Sequence, residues 1–135
     1  MPRKRLGEVA RTAMAAEGCD AEAELSVAIG DDRWIQRLNR RYLGRDAPTD
    51  VLAFPQEENP QSEEHLLGDV AISEETAARE AGERGHDQAK ELELLLVHGI
   101  LHLTGWRDET PSQRRAMMRR AEEVLSHLHR EMAKE

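Results

Sequence analysis

The stretch His98-Gly99-Ile100-Leu101-His102-Leu103-Thr104-Gly105-Trp106-Arg107-Asp108 decides how the rest of the chain is read. It closes an apolar run that begins at Leu94. A long apolar run of this kind predicts a helix buried in the core. Two histidines four residues apart lie one above the other on a single helical face. Imidazoles so placed can hold one metal ion. Otherwise each needs a polar partner in dry surroundings, because an unpaired polar group is costly to bury. Gly105 is placed to stop the helix, since glycine readily takes the left-handed conformation found past helix ends. The chain can then turn back and bring Asp108 towards the histidines. The expected site is His98, His102 and Asp108, with a further position open to water or substrate.

Outward from this stretch, the long helix is predicted over 88–104, after a Gly85-His86-Asp87 turn. Before it, Ser73 with Glu74 and Glu75 marks a helix start, and that helix runs to Gly82 or Arg84. Strands are expected at Leu66–Ile72 and at Val51–Phe54, the latter stopped by Pro55, with a polar flexible loop over 56–64 between them. Trp34, Ile35, Leu38 and Tyr42 recur at helical spacing and are expected in the core, on a helix capped by Asp31 or Asp32. Glu24–Ile29 alternates as a half-buried strand, and 4–17 is amphipathic through Leu6, Val9, Ala10 and Ala13. After the site, Thr110-Pro111-Ser112-Gln113 matches a capping box with proline at the first helical position, opening a last helix to Ala133. The order α, β, α, β, β, α, α, α predicts the α+β class: a small central sheet packed by several helices. With no repeat or linker, 1–135 is expected to be a single domain.

The chain has 135 residues, one cysteine and a formal charge of −8. Cys19 therefore has no intrachain partner and is expected as a reduced thiol. No apolar run can span a bilayer, and the basic start Met1–Arg5 is followed by no apolar signal core, so a cytoplasmic location and no membrane partner are expected. The acidic balance argues against broad nucleic-acid binding, and no DNA is expected. It leaves room for a local basic groove among Arg33, Arg37, Arg40, Arg41 and Arg45 or among Arg114, Arg115, Arg119 and Arg120. His65, His86, His127 and His129 are read as surface residues, and Thr49 and Asp50 as structural. Asp69 is either an outer-shell partner of a ligating imidazole or an edge-facing surface residue.

The zinc-protease pattern H-E-x-x-H has a glutamate as general base after the first histidine. Here that place is Gly99, which disfavours peptide hydrolysis by that route. The segment instead resembles the signature of the YbeY endoribonuclease family, H-G-x-L-H-L-x-G-Y-D-H. Two more blocks are similar to the same family: Leu38–Tyr42 followed by Pro48–Pro55, and Leu67–Ser73. Their order and spacing agree. The resemblance implies a small α+β fold with a zinc-protease-like active-site helix. It implies a metal-dependent endoribonuclease that cuts single-stranded RNA, matures ribosomal RNA at the 3′ end of the small-subunit RNA and serves ribosome quality control. It also implies one zinc per chain, held on the signature's three histidines, with the ribosomal small subunit as partner.

Two departures stand out. The third signature histidine falls on Asp108, and the family's arginine after the tyrosine falls on Leu43. Arg41 or Arg45 is therefore the expected phosphate contact, beside a metal on His98, His102 and Asp108. These departures also support a noncatalytic ribosome-assembly factor of the same fold. A metal-dependent hydrolase of another substrate is the remaining alternative.

Overall fold

The structure is a computed structural model and describes residues 3–56 and 66–133. The expected polar loop and His65 lie almost wholly outside the described residues. The element order is α1 (Arg3–Ala16), β1 (Glu24–Gly30), α2 (Asp32–Leu43), β2 (Val51–Pro55), β3 (Leu66–Ser73), α3 (Glu74–Arg84), α4 (Gln88–Leu103) and α5 (Pro111–Ala133). This is the α+β order read from the sequence, and most boundaries agree within a residue or two.

The strands form one sheet in the order β1-β3-β2, with β1 parallel and β2 antiparallel to β3. Side chains alternate across a strand, so β3 serves two layers. Val70 and Ile72 face α4, with α1 and α5 packed around it. Ala71 points the other way, and with Leu52 it covers Ile35 of α2. The helix α4 is the centre of the larger layer: Leu92, Leu96, Val97, Ile100 and Leu101 are almost wholly buried.

Cap chemistry sets the helix starts. Asp31, not Asp32, caps α2, its side chain accepting from the Trp34 amide at 2.8 Å. Ser73 and Asp87 cap α3 and α4 in the same way. Thr110 and Gln113 exchange the reciprocal bonds of a capping box, each at 3.1 Å. Asp32 instead fastens α2 to α3. Its carboxylate accepts from Ser73 Oγ at 2.5 Å, Thr76 Oγ1 at 2.6 Å and Arg79 at 2.8 Å. Those bonds hold its pKa down at about 2, the Ser73 bond foremost.

One expected core residue is not in the core. Ile35 is fully buried, and Trp34 and Leu38 pack against its cluster, but Tyr42 is 57% exposed. Its ring lies at the rim of the sheet, tilted against Phe54 with centroids 5.3 Å apart.

Candidate metal centre

The two histidines project from the last turns of α4. Their neighbour Gly99 lets the sheet come close: a Cβ there would lie 2.8 Å from Val70 Cγ1 and 3.4 Å from Val51 Cγ2. The position that carries a catalytic glutamate in zinc proteases is thus occupied by the packing of β3 on α4. The helix ends at Leu103, and Gly105 (φ 105°) reverses the chain. The Trp106 amide bonds back to Leu101 O at 3.0 Å, and Asp108 comes round to the histidines.

His98, His102 and Asp108 meet as one group. The Nε2 atoms of the histidines are 3.0 Å apart. Asp108 Oδ2 lies 3.3 Å from His102 Nε2 and 3.8 Å from His98 Nε2. Ligand bonds of about 2.0–2.1 Å in tetrahedral geometry put donors roughly 3.3 Å apart. The three separations bracket that value, so the donor set fits a tetrahedral ion such as zinc. The side chains are between 28% and 41% exposed, so the group is open on one side, as a catalytic site requires. Burial, and then the neighbouring His102, push the His98 pKa below its ordinary value; Asp50 and Asp108 pull the other way. A depressed imidazole pKa favours the neutral form that binds metal.

A second polar group lies behind the first, and the sequence reading missed it. Glu91 sits seven residues before His98 on the same helix, and its side chain is wholly buried. Arg84 and His86 both close on it with short contacts. His86 is therefore not the free surface residue expected of it. Nearby, one oxygen of Glu80 is buried without a donor, and its neighbours include the carboxyl groups of Asp50 and Glu91. Burial, then the charge of Asp50, push the Glu80 pKa up to about 8. A proton held on Glu80 supplies the missing donor among three carboxyl groups. Asp50 also accepts from the Val51 amide at 2.7 Å, which is the structural role expected of it. The available signal was a charge interrupting the buried face of α4.

Other expected residues lie elsewhere. Arg41 and Arg45 are exposed, at the end of α2 and in the loop after it, across the sheet from α4. The Arg41 guanidinium stands over the Tyr42 ring at 5.4 Å. The loop that carries Arg45 is tied down by Asn39, whose Nδ2 donates to Ala47 O at 2.9 Å. Leu43, at the signature's arginine position, is 53% exposed. Asp69 stands half-buried on the interior strand, opposite Phe54, and no hydrogen bond joins it to either histidine. His127 and His129 are exposed, as expected.

Comparison with known proteins shows what the chain as a whole is similar to. The family model described as Endoribonuclease YbeY matches residues 2–129. Endoribonuclease YbeY of Pelotomaculum thermopropionicum is 45% identical over 128 residues, covering 92% of this chain and 84% of the relative. That of Moorella thermoacetica is 46% identical over 129 residues, covering 90% and 83%. The solution structure of TM1509 from Thermotoga maritima is 26% identical, with a TM-score of 0.61, covering 98% of this chain and 87% of that one.

Proposed function

Because the chain belongs to the YbeY endoribonuclease family, we propose that residues 1–135 form a single metal-dependent endoribonuclease domain that cuts single-stranded RNA. Its place is the maturation of ribosomal RNA, at the 3′ end of the small-subunit RNA, and ribosome quality control, with the small subunit as partner. No helix among the described residues is long and apolar enough to cross a membrane, which accords with a cytoplasmic location.

The observation that carries the reading is the meeting of His98, His102 and Asp108 at ligand spacing on an open surface. The proposed ion is one zinc per chain, which supplies Lewis acidity towards a phosphodiester. An aspartate in the third place keeps a donor and adds negative charge. Gly99 accepts no proton, so the peptidase mechanism has no base here. Arg41 and Arg45 are the proposed phosphate contacts. They stand across the sheet from the histidines, and β2, an edge strand, lies between. An RNA strand crossing β2, an edge strand among the described residues, would meet the arginines on one side and the proposed metal group on the other. Exposed Tyr42, beside Arg41, offers an aromatic face of the kind on which single-stranded bases stack.

The test is cleavage of ribosomal RNA by the purified protein and by His102→Ala prepared alongside it. Cleavage by the wild type alone supports the proposal. Equal cleavage in both, or in neither, overturns it in favour of the noncatalytic assembly factor, the reading that Leu43 and Asp108 support. Replacing Arg41 and Arg45 together should lower cleavage and leave metal content intact; unchanged cleavage removes them from the reaction.

A further inference from the structure

Of the three proposed ligands, only Asp108 stands outside a regular element. His98 and His102 are held by the packing of α4. The Gly105–Asp108 segment needs other fastenings, and an aspartate side chain is too short to make up for a displaced backbone. Three fastenings are local: the Gly105 amide bonds to His102 O at 3.2 Å, the Trp106 amide bonds to Leu101 O, and Arg114 donates to Asp108 O at 3.2 Å. The fourth is remote. The indole Nε1 of Trp106 donates to Glu17 Oε1, a residue 89 positions earlier.

Glu17 lies just past the end of α1, and its side chain is only 7% exposed. Its other oxygen accepts twice from Arg120 of α5, from Nε at 3.0 Å and from a terminal nitrogen at 2.7 Å. That same nitrogen donates to Ala16 O at 3.1 Å. The guanidinium thus grips the backbone and the side chain at the end of α1 together. Charge-assisted hydrogen bonds of this kind are stronger than neutral ones. The carboxylate of Glu17 is therefore rigidly presented, with one oxygen aimed at the indole. Trp106 also packs against the main core, so its ring is held by contact and its tilt by the hydrogen bond.

We propose that Glu17 is a positioning residue of the metal centre: held by Arg120, it fixes Trp106 and so sets the reach of the Asp108 carboxylate towards His98 and His102. The inference rests on the reading of those three residues as metal ligands. It differs from a plain strut between α1 and α5, which the Glu17–Arg120 pair would provide without Trp106. Groups that orient ligands from outside the coordination sphere typically change metal affinity about 10- to 100-fold.

The test is zinc affinity, measured by competition with a chromogenic chelator, on wild type, Trp106→Phe, Glu17→Ala, the double variant of these two, and His102→Ala. Urea melts of the metal-free proteins run alongside. Trp106→Phe removes the indole donor and leaves the Glu17–Arg120 pair in place, so it remains informative if Glu17→Ala does not fold. The expected result is a zinc affinity roughly 10-fold weaker in Trp106→Phe, at the low end of that range. Glu17→Ala should weaken it similarly, and the double variant should be no worse than the worse single, since both act through one contact. Cobalt(II) in place of zinc should show a weakened visible absorption in the same variants, reporting a lost tetrahedral ligand. Wild-type affinity in Trp106→Phe, with lowered stability alone, would make Glu17 a strut and overturn the inference. Equal zinc affinity in wild type and His102→Ala would overturn the metal reading itself, a different and recognisable failure.

Discussion

Gly99→Ala isolates the closeness of α4 to the sheet. The added Cβ would meet Val70 Cγ1 at 2.8 Å, Cγ2 at 3.0 Å and Val51 Cγ2 at 3.4 Å. Carbon atoms rest about 3.5–4.0 Å apart, so the first contact is roughly 0.7 Å too short. Val70 has little freedom to yield. It is 1% exposed on the interior strand, paired to Val27 on one side and Ala53 on the other. Its β-branched side chain is stiff about χ1. Overpacking of this kind costs about 1–3 kcal/mol, and a 2.8 Å contact belongs in the upper half of that range. Alanine returns about 1 kcal/mol of helix propensity over glycine. The net expectation is a loss of about 1–2 kcal/mol, or a fall in Tm of roughly 4–8 °C at about 4 °C per kcal/mol for a chain of this size. Urea melts of a double-mutant cycle with Val70→Ala measure it. With both Cγ atoms gone, Gly99→Ala should become neutral or stabilising by up to about 1 kcal/mol. The coupling should then be about 2 kcal/mol. Stabilisation of the wild type by Gly99→Ala, or the same loss in both backgrounds, would refute the tight approach.

Three further outcomes are expected. Asp32→Asn should destabilise the protein at neutral pH. Because the folded-state pKa of Asp32 is lowered from 3.8 to about 2, the wild-type advantage is complete above pH 3.8 and shrinks as pH falls through about 2; melts at a series of acid pH values check it. Glu80→Gln should behave oppositely. The Glu80 pKa is raised from 4.5 to about 8 in the folded protein, so the wild type loses stability as pH rises through that interval and the variant does not. The variant should gain on the wild type from acid to mildly alkaline pH, and a constant difference would refute the shared proton. Asp31→Ala should cost about 1 kcal/mol by removing the α2 cap, whereas Asp31→Asn, which keeps an acceptor for the Trp34 amide, should cost much less.

The meeting of His98, His102 and Asp108 was legible because its determinants are local. Spacing on one helix and a glycine two residues past its end place all three donors within eleven consecutive residues. The caps at Ser73 and Thr110 were legible for the same reason, each being a side chain reaching its own helix. Tyr42 was misplaced because helical periodicity tells which face a residue is on, not how far the opposing sheet extends. Burial on α2 ends at Asn39; the four residues after it are exposed, and the Tyr42 ring meets Phe54 of the edge strand β2. Glu91 and Glu93 were missed because carboxylates interrupting an apolar helix suggest an exposed face. Both are buried here against charged partners outside α4: Glu91 against Arg84 at the end of α3 and His86 in the turn that follows, Glu93 against Arg5 of α1. The Trp106–Glu17–Arg120 contact joins residues 89 and 103 positions apart, and no pattern along the chain announces such a pairing. The position of Arg41 and Arg45 across the sheet from the histidines is likewise a property of topology.

That the three donors fall between positions 98 and 108 also bears on the denatured chain. An unfolded molecule keeps the three proposed donors close along the chain but loses the helical face and the Trp106 fastening, so it retains only part of the affinity. Stabilisation by a ligand depends on its preference for the folded form and is eroded by whatever affinity the unfolded form retains. The rise in melting temperature on adding zinc should therefore be smaller than the affinity of the folded protein would suggest. A chelator should strip the ion without collapsing the fold, because the sheet and the helices around α4 are assembled by contacts in which the donors take no part.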